Sequence, residues 1–406
     1  MAVTEVTREG WFSRLGKSVG GMFGGIILFL IGIGVTAWNE GRAVKTAQGL
    51  AEGSSAVVSV DSATVESANE GKLVHLSGLA TTTETLRDDI FGLEATALRL
   101  KRNVEMLQWK EKSSSKTETK VGGSTETTTT YSYEKVWSDK VVSSDEFKEA
   151  DKHRNPGVMP LESASQTAKV VTLGGFQLGG SLAGRVGNFS PLPPPAQLPA
   201  GFKAQGNTIY RSVAVPSSPP AAAANPLGSG IVTPAATTTA TTTAEPQVGD
   251  VRITFEAVKP SEVSVIAQQR GAKLEPYRTK AGTSLELVDD GVVPAADMFA
   301  SAVASNNLMT WLLRFLGFLA LYIGMSMLLA PLGVLADVLP FLGSIMRLGT
   351  SLIAMVIAVP TSLATIAIAW LAYRPVLGIT LLVIGVGVPI ALLIMKKGKA
   401  AAPTQA

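Results

Sequence analysis

The 406-residue sequence predicts an α+β membrane protein in which a large β-rich extramembrane domain lies between one N-terminal and three C-terminal transmembrane helices. Two observations lead to this fold class. Four apolar stretches are about 20 residues or longer, the length that a helix needs to cross a bilayer. The polar region between the first two stretches contains several segments in which apolar and polar residues alternate, as in strands with one buried face.

The four predicted spans are residues 19–38, 312–335, 350–373 and 376–395. Basic residues flank this set at both ends, with Arg8, Arg14 and Lys17 before the first span and Lys396, Lys397 and Lys399 after the last. Because Lys and Arg are enriched on the cytoplasmic side of span ends, both termini are predicted to be cytoplasmic. Arg314 and Arg374 lie at the opposite ends of spans, and we expect their long side chains to reach the lipid headgroups.

This orientation divides the chain between two sides of the membrane. Residues 1–18, an interfacial segment at 336–349 and a tail at 396–406 are predicted to be cytoplasmic, and residues 39–310 to lie in a periplasm or an organelle lumen. The alternative for the first span is a cleaved signal peptide, which also combines a basic region with an apolar run. The length of the run and the bulky Trp38 at its end favour a retained anchor.

The domain between the first two spans is predicted to consist mostly of strands. The clearest period-two alternation is found in residues 251–257 and 262–267. Weaker signals of the same kind occur at residues 55–60, 72–79, 103–109, 131–142, 169–173, 208–215 and 284–288. These strands suffice for a sheet that closes or packs on itself, and short helices are predicted at 145–150 and 294–307.

Two polar stretches interrupt the predicted strands. Residues between 109 and 131 are rich in Ser, Thr, Lys and Glu, which indicates a long hairpin with a mobile tip. Residues 216–245 belong to a stretch rich in Pro, Ala and Thr that cannot bury enough apolar surface to offset the entropy of ordering. We expect a disordered loop that interrupts the domain without dividing it.

The composition excludes several classes of protein. The chain is 46% hydrophobic and 17% charged, and its net charge of +3 is too small to indicate a nucleic-acid partner. There is no cysteine, so disulfides, thiolate metal sites and thiol catalysis are excluded. Because no Asp, Glu or His lies within the predicted spans, a proton relay across the membrane has no residues to use.

Candidate catalytic residues are scarce. The two histidines are His75, on a predicted strand, and His153, before Arg154-Asn155-Pro156, and both are expected to have structural roles. The sequence has no phosphate-binding glycine loop, no nucleophile elbow and no paired-histidine metal helix. No catalytic residue, metal site or cofactor is therefore assigned, and no enzymatic activity is expected.

The first span contains two overlapping Gly-x-x-x-Gly pairs, formed by Gly20, Gly21, Gly24 and Gly25. Such pairs leave a smooth groove on one face of a helix and allow a second helix to approach closely. The groove is predicted to pack either against another span of the same chain or against a neighbouring copy.

Several short phrases resemble one known family. They include Asn39-Glu40-Gly41-Arg42, Gln108-Trp109, His153-Arg154-Asn155-Pro156, Gln268-Gln269-Arg270-Gly271 and Tyr373-Arg374-Pro375. In this order, with one span before and three after, they resemble the transmembrane protein 43 (LUMA) family over about residues 11–397. The departure is the Pro/Ala/Thr-rich loop, which looks longer than in animal members and indicates a bacterial relative.

The resemblance implies a topology and a role without chemistry. Animal members of that family look like proteins of the endoplasmic reticulum and inner nuclear membrane that self-associate and bind other membrane proteins. We therefore predict a multi-pass scaffold whose partners are membrane lipid, copies of itself or other membrane proteins. The predicted location is a bacterial inner membrane with a periplasmic domain, and the alternative is the endoplasmic reticulum or inner nuclear membrane of a eukaryote. The alternatives are a channel or transport accessory subunit and an outside-facing hydrolase of unknown substrate.

Overall fold

The computed structural model describes residues 3–212 and 245–382. Within these residues the helices are α1 (Trp11–Ala56), α2 (Gly180–Ala183), α3 (Ala295–Ala336), α4 (Pro340–Tyr373) and α5 (Pro375–Leu382). The first ten strands are β1 (Val3–Glu9), β2 (Val58–Ser59), β3 (Leu73–Thr81), β4 (Thr85–Asp88), β5 (Leu93–Thr96), β6 (Arg99–Thr119), β7 (Thr125–Ser138), β8 (Ala164–Thr167), β9 (Thr172–Leu173) and β10 (Phe176–Leu178). The others are β11 (Ser190–Leu192), β12 (Lys203–Gln205), β13 (Thr208–Arg211), β14 (Val251–Val258), β15 (Ser261–Arg270), β16 (Lys273–Glu275), β17 (Tyr277–Arg278), β18 (Ser284–Leu285) and β19 (Leu287–Asp290).

Two large sheets form the β-rich domain and confirm the predicted fold class. In the first sheet the strand order is β1-β7-β6-β14-β13-β12, with β8 paired to β6 and β11 paired to β14. In the second the order is β19-β15-β16-β10-β9-β3-β2. Because β15 also pairs with β3, the strands β15, β16, β10, β9 and β3 form a closed circuit of hydrogen-bonded neighbours.

Strand β14 has the predicted alternation. Val251, Ile253, Phe255 and Ala257 are buried, while the intervening residues are partly exposed. The Phe255 ring lies edge-on to Phe91 with a centroid distance of 5.6 Å. Both rings belong to the main apolar cluster of the domain, which contains residues from both large sheets.

Helices α1, α3 and α4 are long and apolar enough to cross a membrane. They are also longer than the predicted spans, since α1 has 46 residues and α3 has 42. At about 1.5 Å per residue they extend roughly 69 Å and 63 Å, well beyond a hydrocarbon core of about 30 Å. Both therefore continue into the β-rich domain, where Leu50 of α1 and Phe299 of α3 belong to one apolar cluster with Leu285.

Several predicted boundaries are corrected by the structure. The predicted interfacial segment at 336–349 largely belongs to α4, which starts with Pro340 in the first turn, a position that suits proline. The predicted helix at 145–150 is a series of turns. The predicted span at 376–395 lies within the described residues only as far as Leu382, and residues 216–244 of the predicted disordered loop lie outside them.

The long hairpin formed by β6 and β7 is regular up to its end, and the mobility of its tip stays a prediction. The ladder continues to the pair Thr119 and Thr125, and polar pairs such as Thr117 with Thr127 form hydrogen bonds of 2.9 Å across it. Strand β1 adds a third strand along β7. Cross-strand hydroxyl pairs and backbone ladders account for this order without an apolar face.

The tip of this hairpin contacts the far ends of the membrane helices. The Gly122 amide donates to the carbonyl of Val338 at 3.0 Å, and Arg14 Nη1 donates to the carbonyl of Gly123. These contacts place the start of α1 beside the hairpin tip. The assignment of residues 1–18 and 336–349 to one side of the membrane and of residues 39–310 to the other stays a prediction.

The buried phase of β14 predicts unequal effects of two substitutions. Phe255→Ala removes a ring that is 2% exposed and should lower the free energy of unfolding by about 3 to 5 kcal/mol. Arg252→Ala removes an ion pair with Glu105 on the partly exposed face and should cost about 1 kcal/mol. Denaturant unfolding in detergent, followed by circular dichroism, measures both, and similar losses would contradict the assigned phase.

The pairing of β1 with β7 predicts a specific cross-link. Since the chain has no cysteine, Thr7→Cys with Thr127→Cys introduces the only thiols, at positions paired in the ladder. We expect a disulfide after mild oxidation of native membranes, detected as a mobility shift on gels. Thr7→Cys with Thr96→Cys, on an unrelated strand, is the control, and failure of the first pair would instead support the predicted separation by a bilayer.

Candidate functional site: a polar clasp

Helix α1 continues past the exposed Trp38 into a buried polar turn. Asn39 and Glu40 are 0% and 1% exposed, although both lie at the end of an apolar membrane-length segment. The side chains that enclose them come from α3 and α4. We call this group the polar clasp, and it consists of Asn39, Glu40, Arg42, Asn306, Thr310, Arg314 and Trp370.

Glu40 is the centre of the clasp. Arg314 binds its carboxylate with two nitrogens, Nε to Oε1 at 2.6 Å and Nη2 to Oε2 at 2.8 Å, and Trp370 Nε1 donates to Oε2 at 2.6 Å. The Arg314 guanidinium also lies over the Trp311 ring at 4.9 Å. The expectation that Arg314 reaches the headgroups is therefore wrong, because a buried carboxylate one turn past the first span binds it in a bidentate pair.

Arg42 ties a second layer of the clasp together. Its Nη1 donates to Asn306 Oδ1 at 3.0 Å and its Nη2 to Thr310 Oγ1 at 3.1 Å. Asn39 Nδ2 donates to the carbonyl of Thr310 at 3.0 Å, and Asn306 Nδ2 donates in the opposite direction, to the carbonyl of Ala43 at 3.1 Å. The side chains of α1 and α3 thus satisfy one another, as buried polar groups require.

Gly41 allows α4 to approach the same turn. A Cβ atom at this position would lie 2.7 Å from the Tyr373 ring, closer than side chains tolerate. A larger residue at this position would have to displace the Tyr373 ring. The segment Asn39-Glu40-Gly41-Arg42 therefore supplies polar side chains to both layers of the clasp. At Gly41 it also leaves the space in which the end of α4 packs against α1.

The clasp is suited to holding helices together rather than to chemistry. Glu40 and Arg314 neutralise each other, and the donors of Arg42 are bound to Asn39, Asn306 and Thr310. A cavity of about 470 Å³ adjoins it, with Arg42 and Asn306 on one wall and Met298 and Leu287 on another. In the described part of the chain, no group of three or more His, Cys, Asp or Glu could hold a metal ion.

The two histidines lie in the domain, each among structural contacts. His75 Nε2 lies 3.0 Å from the carbonyl of Val293, and its Nδ1 lies 3.2 Å from Ser59 Oγ. The carbonyl can only accept, so Nε2 carries a proton, whereas the Ser59 hydroxyl can either donate to Nδ1 or accept from it. This hydrogen bonding matches the structural role expected for His75.

His153 is stacked on Tyr133, with ring centroids 3.7 Å apart. Burial, together with the hydrogen bond to Glu111, raises the pKa of Tyr133 to about 12, so its hydroxyl remains a donor at neutral pH. The edge of Trp109 also packs on His153, at 4.7 Å between centroids. The imidazole therefore stabilises the base of the hairpin, in agreement with its expected role in the loop.

The four predicted packing glycines divide into two pairs. A Cβ on Gly25 would lie 2.8 Å from the carbonyl oxygen of Gly324 on α3, and one on Gly24 would contact Met327 at 3.4 Å. Among the described residues, nothing lies within 4 Å of a Cβ placed on Gly20 or on Gly21. Gly24 and Gly25 thus serve packing within the chain, whereas Gly20 and Gly21 leave an open strip on α1.

Sequence reasoning missed most of this interface. A Cβ on Gly32 of α1 would lie 2.9 Å from the carbonyl oxygen of Gly317 on α3, seven residues from the contact of Gly25 with Gly324. The glycines of α3 were not singled out because they do not form a Gly-x-x-x-Gly pair. One pattern in the sequence does predict the clasp. The acidic Glu40 lies just after the first span and the basic Arg314 lies just inside the second, and ionisable residues at such positions normally pair.

Comparisons with known proteins agree with this architecture. A sequence model of the family described as Transmembrane protein 43 matches residues 106–375. The chain is 35% identical to Transmembrane protein 43 of Rattus norvegicus over 387 residues, which cover 92% of this chain and 89% of the relative. For the protein of the same name from Homo sapiens the identity is 34%, with 91% and 88% covered.

A more distant relative supports the same assignment. The Transmembrane protein 43 homolog of Drosophila melanogaster is 30% identical over 376 residues, which cover 89% of this chain and 91% of that protein. No solved structure matches the chain. The family match over more than half of the chain and the end-to-end similarity to these relatives establish that this integral multi-pass membrane protein belongs to the transmembrane protein 43 family.

Proposed function

We propose that the protein is a membrane scaffold, which holds a large β-rich domain in a fixed orientation on its membrane helices and assembles with copies of itself, other membrane proteins or lipid. The role is structural and requires no cofactor or catalytic residue. If the source is bacterial, the location would be the inner membrane with the domain in the periplasm.

The continuity of α1 and α3 from the membrane segment into the domain carries this proposal. A domain attached through flexible linkers would reorient freely, whereas here both connections are unbroken helices. Their apolar contacts continue into the cluster that contains Leu50, Phe299 and Leu285. The clasp lies between this cluster and the apolar segments, so a partner bound to the domain would be held at a defined height and angle.

The helix surfaces provide a second support for assembly. Large apolar side chains on the membrane helices are exposed, including Phe23 and Ile27 of α1, Phe315 of α3, and Leu352 and Val356 of α4. Lipid or other helices must cover this surface. The open strip at Gly20 and Gly21 is a place where a neighbouring helix could approach closely.

The clasp predicts strong coupling between Glu40 and Arg314. Breaking a buried ion pair leaves an uncompensated charge, so Glu40→Gln and Arg314→Gln should each destabilise the protein by about 3 kcal/mol. The double variant should lose less than the sum of the two, because neither charge remains unpaired. Melting temperatures in mild detergent provide the measurement.

A matched control comes from an exposed ion pair. Glu94 pairs with Arg87 at 3.2 Å, and both side chains are more than half exposed. Glu94→Gln should therefore change the stability little. Additive effects of Glu40→Gln and Arg314→Gln, or a cost no greater than that of Glu94→Gln, would show that the clasp does not hold the helices.

The two glycine pairs predict different outcomes for one type of substitution. Gly25→Leu should separate α1 from α3 and lower both the melting temperature and the level in the membrane, since the backbone of Gly324 blocks the new side chain. Gly21→Leu should fold normally, because no described residue lies within 4 Å of a Cβ at that position. In mild detergent, however, it should run as a smaller species than the wild type.

The assembly experiment also decides the proposal as a whole. Chemical cross-linking in native membranes, followed by purification in mild detergent, should recover the protein with copies of itself or with other membrane proteins. A monomer that binds no partner in the membrane, and whose size Gly21→Leu leaves unchanged, would refute the scaffold role while leaving the clasp intact.

A further inference from the structure

A cavity of about 480 Å³ lies between α3 and α4, next to the start of α1. Its walls include the apolar side chains of Ile323, Met327, Ala330 and Val334, and its rim includes Arg14 and Arg347. One end is therefore cationic and the other apolar. The proposed function includes lipid as a partner but assigns it no site, and this combination points to one.

The rim has an unbalanced positive charge. Asp337 is 0% exposed and accepts hydrogen bonds from Arg14 Nη2 at 2.6 Å and from Arg347 Nη1 at 2.5 and 2.7 Å. Two guanidinium groups thus share one carboxylate, which leaves the cluster with one net positive charge. The Arg347 side chain is 47% exposed, so it can contact a ligand while it remains paired with Asp337.

The rim is also held in place before any ligand binds. Gly333 lets the aliphatic part of the Arg347 side chain lie across α3. A Cβ atom on residue 333 would lie 3.0 Å from Arg347 Cγ. Arg14 also donates to the carbonyl of Gly123 at the hairpin tip, and Trp11 Nε1 donates to the carbonyl of Val334 at 2.8 Å. Such preorganisation reduces the entropy lost on binding.

The interior of the cavity suits a hydrocarbon chain. The hydroxyls that line it are already engaged, since Ser326 donates to the carbonyl of Tyr322 at 2.8 Å and Thr350 to that of Arg347 at 3.1 Å. The hydroxyls of Tyr322 and Ser351 lie 2.5 Å apart and bond to each other. A polar ligand would find few remaining partners here, whereas an acyl chain would contact Met327 and Ala330.

We propose that this cavity binds an anionic phospholipid, with the phosphate against Arg347 and Arg14 and one acyl chain between α3 and α4. Basic pockets between membrane helices recognise anionic headgroups in this way. The surrounding bilayer supplies such a ligand at high local concentration. A zwitterionic lipid brings a cationic amine to a cluster that is already positive, so the site should discriminate against it.

The full-length protein, stripped of lipid in mild detergent, provides the test. It is titrated with phosphatidylglycerol, with phosphatidylcholine of the same acyl chains and with inorganic phosphate, and bound lipid is counted by native mass spectrometry. Phosphatidylglycerol should bind about tenfold more tightly than phosphatidylcholine. It should also raise the melting temperature, as a ligand of the folded state does.

Three variants localise the binding. Arg347→Gln should weaken phosphatidylglycerol binding about tenfold, whereas Arg374→Gln, the same change at the other end of α4, should leave it unchanged. Ala330→Phe fills the apolar part without altering charge and should also weaken binding. If Arg347→Gln fails to fold, the binding measured for Ala330→Phe tests the proposal in its place.

Several results would overturn the proposal. Equal binding of the two lipids would remove the charge discrimination, and full stabilisation by inorganic phosphate alone would indicate an anion site without a lipid chain. Unchanged binding in both Arg347→Gln and Ala330→Phe would place any bound lipid elsewhere on the helices. None of these results depends on whether the protein assembles with copies of itself.

Discussion

The close antiparallel contact between α1 and α3 is the constraint on which the other features depend. These helices are far apart in the sequence, and the β-rich domain connects them. Glycines let the two backbones touch at Gly25 with Gly324 and at Gly32 with Gly317. The antiparallel contact continues in the hydrogen bonds that join Asn39 to Thr310 and Asn306 to Ala43. The domain therefore begins and ends beside this one pair of helices.

Buried carboxylates fix both ends of this pair. At the domain end, Glu40 is bound by Arg314 and Trp370, which joins α1, α3 and α4. At the other end, Asp337 joins the same three helices through Arg14 and Arg347. A carboxylate is costly to bury unless it is paired, so each cluster strongly favours one arrangement of the helices. Between them the helices expose apolar side chains, as membrane contact requires.

This arrangement also relates the scaffold proposal to the lipid site. A rigid helix unit lets contacts at one end hold a domain at the other, without any moving part. The tip of the hairpin of β6 and β7 touches this unit, where Arg14 donates to the carbonyl of Gly123. The lipid cavity lies at that tip, so an anionic lipid there would stabilise the contact between domain, helices and membrane.

Much of the fold was predictable because it depends on local patterns. Long apolar runs require membrane-length helices, and the alternation in 251–257 requires a half-buried strand, which β14 is. Helix ends were less predictable. Residues 39–56 contain no proline but do contain Gly41, Gly49 and Gly53, which disfavour a helix. Packing of this segment against Leu285 and Phe299 keeps α1 helical as far as Ala56.

The candidate sites depended on contacts that a single sequence does not contain. The sequence alone determined the fold class, the apolar helices and the absence of cysteine thiols. The tertiary structure alone decided that Arg314 pairs with Glu40, that Gly25 packs on Gly324 while Gly21 stays open, and that the hairpin tip reaches Arg14. The physical reason is range: periodicity and composition act between near neighbours, whereas each of these contacts joins residues more than 100 positions apart.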